Sequence, residues 1–118
     1  MATLVIALHS HPSDSSDHEI RSLLAFQYAQ AAIACGHHIT MLFCYQQAVR
    51  LADPNHPHPH ALRWQQWAIE HSIPLVVCNS VAENEFALAV DQLQAGFAAG
   101  GLTEFAAAVA AADRLVQF

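Results

Sequence analysis

The sequence contains no lysine; its basic residues are Arg21, Arg50, Arg63 and Arg114. Against ten acidic residues this leaves a formal charge of −6 with histidine neutral. An acidic, lysine-free chain has no basic stripe with which to neutralise phosphates, so direct nucleic-acid binding is not expected. Charge of either sign is scarce, at 12% of residues, where an ordinary soluble domain carries about 25%. No apolar run reaches the roughly 18 residues of a spanning helix, so no membrane segment is expected. No basic n-region opens the chain, so no signal peptide is expected either, and the reading is cytoplasmic. The three cysteines, Cys35, Cys44 and Cys78, are odd in number, widely spaced and free of any CxxC. In a reducing compartment they are expected to be free thiols. GxGxxG, GxxxxGK[ST] and GxSxG are all missing, which leaves nucleotide binding and serine-hydrolase chemistry without support. No cofactor is implied.

What is present fits one domain spanning residues 1–118. A folded chain of this mass exposes roughly 6,300 Å², so its fourteen charges are spread at about one per 450 Å². That is sparse for a free monomer, and subunit contacts covering part of the surface would account for it. Histidine is abundant, with nine copies, so mild acid should bring the net charge close to zero.

Residues 3–9 form a nearly continuous apolar run without alternation, the pattern of a strand buried on both faces of a parallel sheet. Ser10–Asp17 is a polar loop. Ser16 and Glu19 stand at capping-box spacing, which predicts a helix start. Ile20, Leu23, Leu24, Gln27, Ala31 and Cys35 follow at helical spacing, and Gly36 suits a left-handed cap. Ile39–Tyr45 reads as a second strand, and Gln46–Ala52 as a short helix or an extended edge. Asp53–His60, with its alternating His and Pro, reads as a loop. Ala61–His71 is a helix with Trp64, Trp67, Ala68 and His71 on one face. Pro74–Asn79 is a third strand. Phe86, Val90, Leu93 and Phe97 predict a helix over residues 83–97, broken at Gly100-Gly101. Thr103–Ala112 is another helix, and Arg114–Phe118 a closing strand. Strands alternating with helices predict a three-layer α/β/α sandwich around a mainly parallel sheet of four to five strands.

In such sheets reactive groups collect beyond the carboxyl ends of the strands. Cys78 lies at such an end, just before a turn into a helix, where a thiolate could attack a sulfane sulfur and retain it as a persulfide. Cys35, on the apolar helix face, and Cys44, within the second strand, read as core packing. His9 and His11 follow the first strand and could approach Cys78 to stabilise a thiolate or pass a proton. His56, His58 and His60 read as a solvated loop, with a metal-binding module as the competing possibility.

Taken in order, several segments resemble the DsrE/TusD branch of the DsrE/DsrF-like sulfur-relay family. They are Ala25-Phe26-Gln27-Tyr28-Ala29-Gln30-Ala31, Gly36-His37, Phe43-Cys44-Tyr45, Trp64-Gln65, Cys78, Gln94-Ala95-Gly96-Phe97, Gly101-Leu102 and Asp113 to Phe118. The resemblance implies a sulfur carrier whose accepting residue is Cys78. Small sulfur-carrier proteins would act as donor and acceptor, and homologous subunits would assemble in a homo- or hetero-oligomer. The end use would be 2-thiolation of the tRNA wobble uridine or sulfur oxidation. One departure stands out: Asn79 to Glu85 is acidic where relatives tend to be basic. A non-catalytic interaction subunit of such an oligomer is therefore the alternative.

Overall fold

The computed structural model describes residues 1–118. Five strands form one sheet: β1 (Thr3–Leu8), β2 (His38–Cys44), β3 (Leu75–Cys78), β4 (Phe97–Gly100) and β5 (Arg114–Gln117). Their spatial order is β4-β3-β2-β1-β5, and every pairing is parallel. Four helices connect them: α1 (Ser16–Ala34), α2 (Pro59–His71), α3 (Asn79–Asn84) and α4 (Leu102–Ala111). A 3₁₀ segment, Gln46–Ala52, follows β2. The accessible surface is 6245 Å².

The layering follows from strand order. From β1 to β4 the chain steps in one direction across the sheet, so right-handed crossovers place α1, α2 and α3 on one face. The return from β4 to β5 runs the other way and places α4 on the opposite face. Both α1 and α4 pack on β1 and β2, with the sheet between them, as in the expected sandwich.

The central strands are buried on both sides, as their unbroken apolar runs require: Leu4 to Leu8, Met41 to Cys44 and Leu75 to Cys78 are all buried. Beneath α1 and α2, Trp64 anchors the core with its ring edge-on to Phe26 and Trp67, at centroid distances of 5.0 and 5.2 Å.

Four local expectations are corrected. First, α1 is capped by Ser15, whose Oγ accepts from the His18 N–H at 3.1 Å, and Ser16 is already helical. Second, α1 turns a different face inward. Ser22, Ala25, Ala29 and Ala32 are buried, while Ile20, Leu24 and Cys35 are exposed. Small residues let the helix approach the sheet closely, and the larger apolar ones are left outside. Third, no helix spans residues 83–97: α3 starts directly after Cys78 and ends at Asn84. Ala87 lies at φ 51, where a helix cannot continue. The remaining loop is tied to the 3₁₀ segment by Gln94, whose Nε2 donates to the carbonyls of Leu51 and Asp53. Fourth, Phe97 to Gly100 form β4, so the two glycines mark a strand end instead of a helix break.

Candidate active site at the end of β3

β3 and β4 are neighbours that send their chains to opposite faces, β3 into α3 and β4 into α4. Such a reversal opens a crevice beyond the strand ends, where open α/β sheets bind ligands. Cys78 is the last residue of β3 and the residue preceding α3, and it pairs with Gly100, the last residue of β4. The sequence-predicted thiol therefore stands at the one place in the sheet where topology makes room for chemistry.

The side on which it projects can be read from the register. Phe43 stacks on Phe105 of α4 at 4.4 Å. Val76 pairs with Phe43 and so shares that face, and Cys78, two residues on, shares it as well. Close packing surrounds it. A Cβ on Gly100 would meet Val76 Cγ1 at 2.6 Å and also strike the Glu104 carboxylate, so only glycine fits beside Cys78. Gly101, Asn79 and Ser80 complete the corner, with Asn79 Oδ1 accepting from the Ser80 N–H at 3.0 Å. Cys78 is 1% exposed. In the isolated chain its sulfur is closed off, and a donor can reach it only when part of its cover moves. No arginine occurs between Cys78 and α4, whereas Glu83, Glu85 and Asp91 do, and Glu104 follows in the first turn of α4.

His9 and His11 separate. Cys44 pairs with Val77, so Tyr45 is the next residue beside Cys78. The His9 ring lies edge-on to Tyr45 at 6.1 Å. His9, Tyr45 and Cys78 thus form one row, with His9 two strand spacings, or about 10 Å, from Cys78. Its Nε2 bonds Gln117 Oε1 at 2.8 Å. The sequence gives Tyr45 no role beyond ending the second predicted strand, and that place at a strand's carboxyl end is the signal that could have found it.

His11 belongs to a different cluster, on the α1/α2 side. It is buried, and its Nδ1 accepts from the Ser13 N–H at 3.1 Å. Its ring meets His58 edge-on at 5.4 Å, and His58 meets His60 at 4.8 Å. Burial, followed by the positive field of Arg50, lowers its pKa to about 4, so it is uncharged at neutral pH. Burial and His58 also lower His60. Arg50 donates to both oxygens of Asp14 and holds that carboxyl below its usual value. None of these groups is bonded to Cys78.

The histidines of the His-Pro segment are spoken for individually. His56 Nδ1 bonds Asp53 Oδ2 at 2.9 Å, His58 Nδ1 accepts from the His60 N–H at 3.1 Å, and His60 Nδ1 bonds Ser22 Oγ at 2.9 Å. No three His, Cys, Asp or Glu side chains gather as metal ligands. A backbone N–H only donates, so the Nδ1 atoms of His11 and His58 are acceptors and their ring protons sit on Nε2. His58 is thus not wired as a ligand, since a metal-bound histidine turns its other ring N–H to an acceptor. Of the other thiols, Cys44 is buried on the opposite face from Cys78, where burial alone pushes its pKa up to about 12, and Cys35 is exposed at the end of α1. All three thiols are free.

Comparison with known proteins completes the description of the site. The profile of the DsrE/DsrF-like family matches residues 8–118. The chain is 35% identical over 109 residues to sulfurtransferase TusD from Yersinia pestis strain Pestoides F, covering 80% of this chain and 83% of that protein. The same figures hold for sulfurtransferase TusD from Yersinia pseudotuberculosis serotype O:1b. Among solved structures, the YchN protein from E. coli superposes with a TM-score of 0.75 at 19% identity, covering all of both chains. That similarity concerns the fold.

Proposed function

From the premise that the chain belongs to the DsrE/DsrF-like family, we propose that it is a sulfur-relay protein whose accepting residue is Cys78. The observation that carries this reading is the placement of Cys78 at the carboxyl end of β3, beside β4, where the two connections leave for opposite faces. The sulfurtransferase relatives support the chemistry. The Cys78 thiolate attacks the outer sulfur of a donor persulfide, forming the Cys78–S–SH persulfide and releasing the donor as a thiolate. Transfer to an acceptor thiolate reverses the roles. No oxidant, reductant or cofactor enters either step.

Burial adds a condition. A thiol that is 1% exposed does not meet a donor by diffusion, so docking of a small sulfur-carrier protein must displace the cover at the β3/β4 corner. This is local opening of a kind that a short helix and an irregular loop allow more readily than central strands. His9, through Tyr45, is the assisting histidine that shares the row. His11 is uncharged at neutral pH and offers no positive charge to a thiolate. Homologous subunits in a homo- or hetero-oligomer would cover the exposed apolar side chains Ile20, Leu24, Leu62, Ile69 and Leu102. The relay would operate in the cytoplasm and serve tRNA wobble-uridine 2-thiolation or sulfur oxidation. No helix is long and apolar enough to cross a membrane.

Mass spectrometry after incubation with a protein persulfide donor tests the reading. A gain of about 32 Da mapped to Cys78, absent in Cys78→Ser, is expected. Loading confined to the exposed Cys35 would overturn it. A second reading, a non-catalytic interaction subunit, is favoured by the closure of the thiol and the acidic residues that follow it. On that reading Cys78→Ser leaves relay by the assembled complex unchanged.

A further inference from the structure

A cavity of about 390 Å³ opens beyond the ends of β1 and β2, and Cys78 is not among its walls. His11, Ser13, Arg50, Asp53, His58 and Phe86 line it. The unpartnered donors in these walls belong to His11, His58 and Arg50. Asp14, which is not in the wall, takes both its bonds from Arg50, while Asp53 accepts from the Asn55 N–H and from Nδ1 of His56, a further wall residue, each at 2.9 Å, and both Asp53 and Ser13 Oγ keep lone pairs in reserve. Beside them stand donors without a protein partner. His11 and His58 both have Nδ1 tied to a backbone N–H, which leaves each with a proton on Nε2 and no protein partner for it. Arg50 spends one terminal nitrogen on Asp14, and its Nε is buried without any partner. Phe86 lies beside the guanidinium, with Cζ 6.0 Å from the ring centre, and helps to fix its plane.

His11 is 5% exposed, so its orientation is set by packing before any ligand arrives. Two imidazole N–H groups of fixed tautomer and a guanidinium held in place by Asp14 give the wall three preorganised donor groups. A group that matches these three is rich in acceptors. We propose that this cavity binds a small tetrahedral oxyanion of sulfate or phosphate size, held by His11 Nε2–H, His58 Nε2–H and the free edge of Arg50. The anion is either a free inorganic ion or the phosphate of a small ester. The site is independent of the sulfur-accepting role of Cys78.

The test uses the full chain at constant ionic strength, titrated calorimetrically with sulfate, with inorganic phosphate and with ribose 5-phosphate. Saturable one-to-one binding is expected, accompanied by shifts of the His11 and His58 ring resonances in NMR spectra. Tighter binding of the ester than of inorganic phosphate would identify the anion as part of a larger ligand; equal affinity would identify the free ion. His58→Asn keeps a side-chain acceptor for the α2 cap, and its shorter side chain withdraws the ring Nε2–H from the cavity. Arg50→Lys keeps the charge opposite Asp14 and removes the guanidinium edge. Each should weaken binding about tenfold or more, whereas Arg63→Gln, outside the cavity, should not change it. Absence of saturable binding, or binding indifferent to both cavity variants in proteins that melt like the parent, overturns the proposal.

Discussion

The two faces of the sheet are built to different standards. On the α1/α2 face three helices and the 3₁₀ segment bury Leu42, Cys44, Leu75 and Val77 beneath Trp64 and a layer of alanines. On the other face a single ten-residue helix, α4, covers the sheet, and none of its residues is buried. Each face holds a buried cysteine near the same end of the sheet, and the two thiols are nearly neighbours in register: Cys44 pairs with Val77, the residue before Cys78. Cys44 is sealed in the thick layer, where burial pushes its pKa to about 12. Cys78 lies under the thin one, between connections that diverge to opposite faces. Burial fraction is nearly the same for both. What differs is how much structure must move to uncover each sulfur.

The sharpest way to break this comparison is to remove each thiol in turn. Cys78→Ser should abolish sulfur loading, a loss beyond the detection range of mass spectrometry. Cys44→Ala should leave loading intact and instead cost about 1–2 kcal/mol of stability, read from urea unfolding, because it empties a well-packed position. Equal loss of loading in both variants would remove the distinction between the faces.

Acid should strike the thick face first. His11 is neutral in the folded protein, with a pKa near 4 against an ordinary 6.5. Unfolding lets it take up a proton at any pH below about 6.5. Its contribution is therefore flat above that value, and stability falls as pH drops from 6.5 toward 4, by up to about 3 kcal/mol. His60 is lowered as well and acts in the same direction. His11→Asn should flatten the decline between pH 6.5 and 4 in thermal melts; an unchanged slope would assign acid sensitivity elsewhere.

On the thin face the corresponding change is Gly100→Ala. The added methyl has to displace Val76 and the Glu104 carboxylate, a close approach to a β-branched side chain on the sheet. A cost of about 1–3 kcal/mol is expected. The displaced side chains also loosen the cover over Cys78, so its reaction with a thiol reagent should speed up while that of Cys44 does not.

How much of this was legible in the sequence differs along the chain. The central strands could be read because a parallel strand buried on both sides shows an unbroken apolar run, as in Leu4 to Leu8 and Leu75 to Cys78. Cys78 could be placed because it ended such a run. β4 could not, because Phe97-Ala98-Ala99-Gly100 is small and short, and its phenylalanine completed a helical spacing with Phe86 and Leu93 by coincidence. Those three side chains do reach the core, but from a loop and an edge strand. Periodicity reports which residues turn inward; it does not report the backbone that carries them there. Closure of the Cys78 sulfur was illegible for a related reason, since it depends on the neighbouring strand β4, whose Gly100 pairs with Cys78 and which the sequence pattern did not reveal.

The smallest predicted effect concerns α1. Serines occupy both 15 and 16, and a capping-box pattern favours Ser16 because Glu19 lies three residues on. The helix instead starts one residue earlier. Ser15 is extended, at φ −168 and ψ 167, and its Oγ takes the His18 N–H, whereas Ser16 is the first helical residue. The choice follows from the buried face: with α1 docked through Ser22, Ala25, Ala29 and Ala32, residue 16 already lies on the helical path. Ser15→Ala should then cost about 1 kcal/mol, the usual value of a lost N-cap, and Ser16→Ala only a few tenths. Paired thermal melts decide the matter, and the reverse order would return the cap to Ser16 and shift the start of α1 by one residue.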